Sequence, residues 1–200
     1  QGAHLPALLE IFNRTAIEVC EGQQMDMDFE FRNDVSISEY VEMIRLKTSV
    51  LLGCALEMGA IIGNASKEDR HLLYEFGQHI GIAFQIQDDI LDLYADPEKF
   101  GKQVGGDIQS NKKTFLMIHA LETAQGELRM ELIKAMEENP ADKVELVLNI
   151  FKACGIDSWA SALKEQYLQT ALTHLEEIAV SKSRKAPLHA LAHYLISRDK

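Results

Sequence analysis

The run from Ser66 to Tyr94 places the tightest limit on what this chain can become. Ser66, followed by Lys67-Glu68-Asp69, has the form of a helix start. Its hydroxyl can cap the first free amides, and the acids sit beside the positive end of the helix dipole. Apolar residues then recur at helical spacing, and no proline intervenes before Pro97. A helix of that length is about 40 Å long. It needs long helical neighbours to cover its apolar face.

The rest of the chain supplies them. Residues 7–21 predict a helix with Leu8, Leu9, Phe12, Ala16 and Val19 on one side. Residues 22–30, from Gly22 through Asp26, Asp28 and Glu30, read as an acidic loop. Ser36 and Glu39 have the spacing of a capping box and open a helix to about Ile62, which Gly63-Asn64 ends. Residues 95–111, with Gly101, Gly105 and Gly106, are the most loop-like stretch. Further helices are predicted near 112–123, 126–138, 142–153, 158–181 and 186–197. The expected class is all-α, one bundle with its site between facing helices.

The formal net charge of -11, with no arginine-rich run or basic helix, argues against a nucleic-acid partner. Divalent cations are the natural partners of surplus carboxylates. Cys20, Cys54 and Cys154 are widely spaced in apolar helical contexts, which fits small core residues in a reducing, cytoplasmic setting. No apolar stretch is long enough to span a bilayer, since Gly53, Glu57 and Gly59 break the run from Val50 to Ile62. The chain opens on Gln1-Gly2-Ala3 without an initiator Met, so residue 1 need not be the natural start.

Chemistry concentrates in Phe84-Gln85-Ile86-Gln87-Asp88-Asp89-Ile90-Leu91-Asp92. At about 100° per residue, Gln85, Asp88, Asp89 and Asp92 fall on one face, and the carboxylates are expected to converge. Two such charges about 4 Å apart repel by roughly 4 kcal/mol at an effective dielectric of about 20, so the arrangement calls for a cation. The competing reading is a solvated acidic patch. Apolar flanks at Ile82, Ile86, Ile90 and Leu93 favour a central helix instead. Gly77 and Gly81 continue the stripe, leaving room for a ligand or for close helix packing. The candidate ligands are all hard oxygens, which selects Mg²⁺, Mn²⁺ or Ca²⁺ over Zn²⁺. Mg²⁺ fits a short acidic motif that shares the ion with a phosphate.

Lys102, Lys112 and Lys113 lie a little further on among glycines, and Asn111 could cap the following helix. Acid for a metal beside base for a phosphate is the electrostatic layout of diphosphate chemistry. Without the carboxylates, this stretch would read as a flexible solvated loop. Lys47-Thr48 interrupts an apolar helix, either as a snorkelling lysine beside a buried threonine or as a pair facing the same cavity. His189 and His193 share a helix face but lack the glutamate of a zinc helix motif, so no histidine is assigned a role.

These segments resemble the trans-isoprenyl diphosphate synthases, or polyprenyl synthetases, which include the farnesyl and geranylgeranyl diphosphate synthases. The resemblance runs in order through Gly22-Gln23 with Asp26, Lys47-Thr48, Phe76-Gly77, Gly81 and Phe84 to Asp92. It continues through Gly101-Lys102, Gly106-Asp107, Asn111-Lys112-Lys113-Thr114 and the basic end at Arg198-Asp199-Lys200. It implies an isoprenoid-synthase-type helical bundle and head-to-tail 1'-4 condensation of isopentenyl diphosphate with an allylic diphosphate. Asp88, Asp89 and Asp92 would be the second aspartate-rich motif and hold Mg²⁺. Lys102 and Lys112 would neutralise the allylic diphosphate. Lys47, Thr48 and Gln85 would lie along the carbocation. A homodimer is expected by analogy.

The chain departs from that pattern by lacking a first DDxxD motif and the Gly-Lys-Arg segment of the isopentenyl diphosphate site. Residues 1–200 are therefore expected to be the C-terminal part of a single synthase domain, inactive alone and complemented by a missing N-terminal segment. The alternative is a non-catalytic subunit of a heteromeric synthase, against which the three retained aspartates argue. A terpene cyclase would replace them with a mixed Asn, Ser and Glu motif that is absent here.

Overall fold

Ser36 opens its helix as the spacing predicts. Its hydroxyl accepts the Glu39 amide at 3.3 Å while the Ser36 amide donates to the Glu39 carboxylate at 2.9 Å. The computed structural model describes residues 2–94 and 105–197. Its helices are α1 (Leu5–Phe29), α2 (Ile37–Ile44), α3 (Val50–Ile62), α4 (Lys67–Tyr94), α5 (Gly106–Gln109), α6 (Phe115–Thr123), α7 (Gly126–Glu138), α8 (Lys143–Ala153), α9 (Ile156–Glu177) and α10 (Lys182–Ile196). No strand occurs among the described residues. The all-α expectation holds.

A π-helical turn, Arg45–Ser49, joins α2 to α3, so the helix predicted as one continuous unit widens in its middle. The predicted Gly63-Asn64 stop ends α3, with Asn64 in the left-handed conformation at φ 57°. Ser66 accepts the Asp69 amide at 3.0 Å at the start of α4.

The long helix α4 is central. Phe76, Ile80 and Ala83 on α4 pack with Leu168, Ala171 and Leu175 on α9, all of them buried. Each such Phe, Ile or Leu contributes about 1.5–3 kcal/mol. A larger cluster joins Tyr40 and Met43 of α2 to Phe115 of α6, Leu132 of α7 and Phe151 of α8. A third joins Ile11 of α1 to Cys54 and Ile61 of α3 and Tyr74 of α4. On the other side of α4, glycines give close helix packing rather than ligand space. A Cβ on Gly77 would stand 2.6 Å from the Gly53 nitrogen, and one on Gly81 would stand 2.7 Å from the Ser49 Cα.

Several boundaries differ from expectation: the loop-like stretch contains α5, α6 begins at Phe115 rather than near 112, and α9 ends at Glu177 rather than near 181. The acidic segment read as a loop is helical as far as Phe29, because Gly22 packs against the π turn and holds α1 there. The last helix begins at Lys182, ahead of Pro187. Its first turns are fastened to the end of α9: buried Lys185 donates to the Glu176 carbonyl, and His189 Nε2 lies 2.7 Å from the Glu176 carboxylate. That attachment outweighs the backbone bond that proline forfeits.

Candidate active site at the end of α4

Three elements converge on the C-terminal third of α4. From α1, Asp26 accepts Lys47 Nζ at 2.6 Å. Gly22, one turn earlier, makes this possible: a Cβ there would stand 2.4 Å from the Lys47 nitrogen. From α2, Tyr40 donates its phenol proton to Asp89 Oδ2 at 2.9 Å. Gln85, one turn before Asp89, donates to Oδ1 at 3.1 Å. Beyond α4, the Asp107 amide donates to Asp92 Oδ2 at 3.0 Å, and the Gly105 amide to the Asp92 carbonyl at 2.8 Å. These bonds fold α5 back onto the end of α4, and Lys112 Nζ reaches Asp107 Oδ2 at 3.3 Å.

The electrostatics follow from this burial. Asp89 is 3% exposed. Desolvation pushes its carboxyl up to about 7, against the opposing pull of Lys112, Gln85 and Tyr40. Burial works against the Lys112 ammonium as well, but Asp107, Asp89 and Asp26 together hold its pKa above the ordinary lysine value. Tyr40 is raised well above a free phenol by burial first and by Asp89 second. A protonated or weakly ionised carboxyl beside a persistent ammonium is a site that gains from an added cation and an added polyanion together.

Not all the expected residues meet. Asp88 and Asp92 are half-buried, whereas Asp89 turns inward to Tyr40. Asp88, Asp89 and Asp92 do not bring three ligand oxygens within 4.8 Å of one another, as the helix spacing suggested they would. Successive residues on a helix diverge by about 100°, and like charges separate when each finds its own partner. Such spacing excludes a closed cage but suits Mg²⁺, which takes one or two carboxylates and completes its shell with water and phosphate. The oxygen-only donors and the reluctance of Asp89 to ionise alone fit that ion. Thr48 is half-buried beside Lys47 on the π turn, a distortion common at functional positions. Lys102 and Gly101 lie outside the described residues, as does the basic end from Arg198 to Lys200.

The rest of the basic stretch is structural. Lys113 caps the end of α1, donating to the carbonyls of Phe29 at 3.1 Å, Glu30 at 3.3 Å and Arg32. Asn111 does not cap α6. It is left-handed with φ 56°, donates to the Met136 carbonyl at 3.0 Å and accepts Lys143 Nζ at 2.6 Å. Thr114 is the residue before α6, and its hydroxyl accepts the Met117 amide. Tyr40 was not anticipated as part of this site, because a lone tyrosine in an amphipathic helix carries no local signal of its partner.

Residues 2–153 match the family model described as polyprenyl synthetase. The chain belongs to the polyprenyl synthetase family. A geranylgeranyl diphosphate synthase of Sulfolobus acidocaldarius is 40% identical over 196 residues, covering 96% of this chain and 58% of that enzyme. A crystal structure of a geranylgeranyl pyrophosphate synthase superposes with a TM-score of 0.91 at 42% identity, over 100% of this chain and 63% of that one. Another, from Corynebacterium glutamicum and complexed with isoprenyl diphosphate and magnesium, gives a TM-score of 0.89 at 26% identity over 99% of this chain and 57% of that one. The chain thus spans less than two thirds of the length of these family members, and what it matches is their isoprenoid-synthase fold.

Proposed function

We propose that this chain carries the allylic-diphosphate side of a prenyltransferase that condenses isopentenyl diphosphate with an allylic diphosphate, head to tail, in isoprenoid synthesis. The observation that carries this reading is the pairing of Lys112 with the acidic end of α4: one ammonium held charged by Asp107, Asp89 and Asp26. The reaction begins with cleavage of the allylic C–O bond, which develops charge on the diphosphate and on the carbon left behind. Lys112 and Lys102 stabilise the departing diphosphate. The Thr48 hydroxyl and the Gln85 carbonyl offer oxygen dipoles to the carbocation, and Asp26 fixes the Lys47 ammonium near the departing group. Apolar walls from α2 and α4 exclude water that would quench the cation. Asp88, Asp89 and Asp92 are the residues that would hold Mg²⁺, which when bound would supply charge neutralisation to the diphosphate.

Within this reading, residues 1–200 form part of one synthase domain, and isopentenyl diphosphate needs residues outside the chain. An uncovered apolar stripe on α1, with Leu5 57%, Leu9 50% and Phe12 57% exposed, supports further polypeptide or a second subunit packing there. A homodimer and a cytoplasmic setting are part of the proposal. No helix among the described residues is long and apolar enough to cross a membrane, and all three cysteines are free.

The test has two arms. Calorimetry should find Mg²⁺-dependent binding of inorganic pyrophosphate to the isolated chain, weakened at least tenfold by Asp88→Asn and by Lys112→Ala. Turnover of labelled isopentenyl diphosphate should be negligible with the chain alone and should appear when an N-terminal synthase segment is joined to it. Pyrophosphate binding indifferent to both substitutions would remove the basis of the reading.

A further inference from the structure

A second cluster of ligating side chains lies on α4, well away from the aspartates. Glu75 and His79 stand one turn apart on α4, and His174 reaches them from α9. One ligand atom from each residue lies within 4.8 Å of those of the other two, and among the described residues only this trio of His, Cys, Asp or Glu does so. Glu75 and Asp88 are separated by about 20 Å along the helix axis at about 1.5 Å per residue. The cluster therefore belongs to no part of the diphosphate site proposed above, and its argument is independent of that function.

The surroundings prepare these groups as ligands. His79 Nδ1 lies 2.8 Å from the Glu75 carbonyl oxygen. A carbonyl can only accept, so in the neutral ring Nδ1 carries the proton and Nε2 keeps its lone pair. This is the usual way a ligating imidazole is oriented, through a hydrogen bond from its other nitrogen. Glu75 is held in turn. Gln78 Nε2 lies 3.4 Å from Oε1, and Arg45 donates to Gln78 Oε1 at 2.9 Å. The rings of His79 and His174 lie 5.1 Å apart at 42°, with Tyr167 6.1 Å from His79 on another side.

His174 supplies the decisive observation. Its Nδ1 is buried and has no hydrogen-bond partner. Buried polar atoms without partners are rare in native proteins and point to a bound species, an ion or a water. The same ring stands against the His79 imidazole and contributes one atom to the trio with the Glu75 carboxylate. Two nitrogens and one oxygen form a donor set for the late first-row divalent ions and a poor one for Mg²⁺.

We infer that Glu75, His79 and His174 form a Zn²⁺-class metal site that clamps α4 to α9. Zinc bonds of about 2.0–2.2 Å in a tetrahedron set ligand atoms about 3.4 Å apart, so small side-chain rotations close the trio around the ion. His174 Nδ1 breaks no hydrogen bond in doing so. Three protein ligands leave a fourth position for water, and neutral imidazoles with one carboxylate leave a net single positive charge. The metal joins the two helices whose Phe76, Ile80, Leu168 and Leu175 already pack together.

The test uses the whole chain, stripped of metal by a chelator and titrated with Zn²⁺ in millimolar Mg²⁺, so that the aspartates are not available to it. One equivalent should bind and raise the melting temperature. His174→Gln and Glu75→Gln should each weaken binding about 100-fold and abolish the thermal shift, while Asp88→Asn and Asp92→Asn leave both unchanged. Co²⁺ in place of Zn²⁺ should give the visible ligand-field bands of a nitrogen- and oxygen-ligated four-coordinate ion, a readout on the wild-type chain that needs no variant to fold. Zn²⁺ that fails to bind saturably below about 100 µM, binding that survives the His174 and Glu75 changes, or a Co²⁺ spectrum with thiolate charge-transfer bands from a cysteine would each overturn the proposal.

Discussion

The Tyr40 hydroxyl and the Asp89 carboxylate, 2.9 Å apart, form a buried bond between α2 and the acidic end of α4. It fixes one aspartate of the motif inside the protein and leaves Asp88 and Asp92 nearer the surface.

Asp89 should make stability fall as pH rises. Its folded-state pKa is raised from 3.8 to about 7. The folded state therefore holds the proton more tightly than the unfolded chain. This contribution is fully present below about pH 4 and is lost as pH rises from 4 to 7. At 1.36 kcal/mol per unit the effect is on the order of 4 kcal/mol. Urea titrations of the metal-free chain should show wild-type stability declining across that window relative to Asp89→Asn, with Mg²⁺ reversing part of the decline at neutral pH. Parallel curves for the two proteins would show that Asp89 ionises as freely as a surface acid.

Glu39 acts in the opposite sense. The Ser36 amide, Arg32 and the Ser36 hydroxyl lower its pKa from 4.5 to about 2. Its contribution is present above about pH 4.5 and is lost as pH falls through 2. The Glu39→Gln protein should therefore be less acid-sensitive over that interval when unfolding is followed by circular dichroism, and less stable than wild type at neutral pH.

Two glycines should respond oppositely to the same substitution. Gly22→Ala places a methyl 2.4 Å from the Lys47 nitrogen, in contact with backbone that cannot yield. A loss of about 2–3 kcal/mol is expected from such overpacking, along with disruption of the Lys47–Asp26 pair. Gly59, inside α3, has nothing within 4 Å of its added Cβ. Gly59→Ala should stabilise by about 0.5–1 kcal/mol through helix propensity alone. Thermal melts of the two variants decide the matter, since equal effects would contradict the packing described for α1.

Lys143 is wholly buried at the start of α8, with Nζ 2.6 Å from Asn111 Oδ1 and 2.8 Å from Asn139 Oδ1. Both asparagines are left-handed. Lys143→Met should cost about 2 kcal/mol, by leaving Asn111 Oδ1 without its donor and Asn139 Oδ1 with only the 3.4 Å bond from Asn111 Nδ2. Hydrogen exchange should quicken at Asn111 and its neighbours, which lead to Lys112. A stability change confined to α8 would argue against this linkage.

Much of the fold could be read from the residues in order. The Ser36–Glu39 and Ser66–Asp69 caps, the stop near Gly63 and the apolar stripe of α4 all act through neighbours within a turn, where spacing carries the information. What escaped depends on partners distant in the chain. Residues 22–30 looked like a loop because acidic alternation with a glycine is a local cue, whereas the reason for helix there is the backbone of residue 47. The aspartates were rightly placed on one helix, but a helical wheel gives direction without naming Tyr40 or the Asp107 amide as partners. Glu75 and His79 show an i, i+4 spacing in the sequence, but His174 joins them only through the packing of α9 on α4.

The widened turn at Arg45–Ser49 also has a bearing on how this segment tolerates change. A π turn holds about one residue more than an α turn. Deleting one residue there would return an ordinary turn that sweeps about the same angle, so the helices on either side would keep their orientation, whereas inserting one would swing one side by about 100° about the helix axis. After such an insertion Tyr40 would miss Asp89, or Gly53 would miss Gly77. The segment should therefore withstand the loss of one residue better than the gain of one.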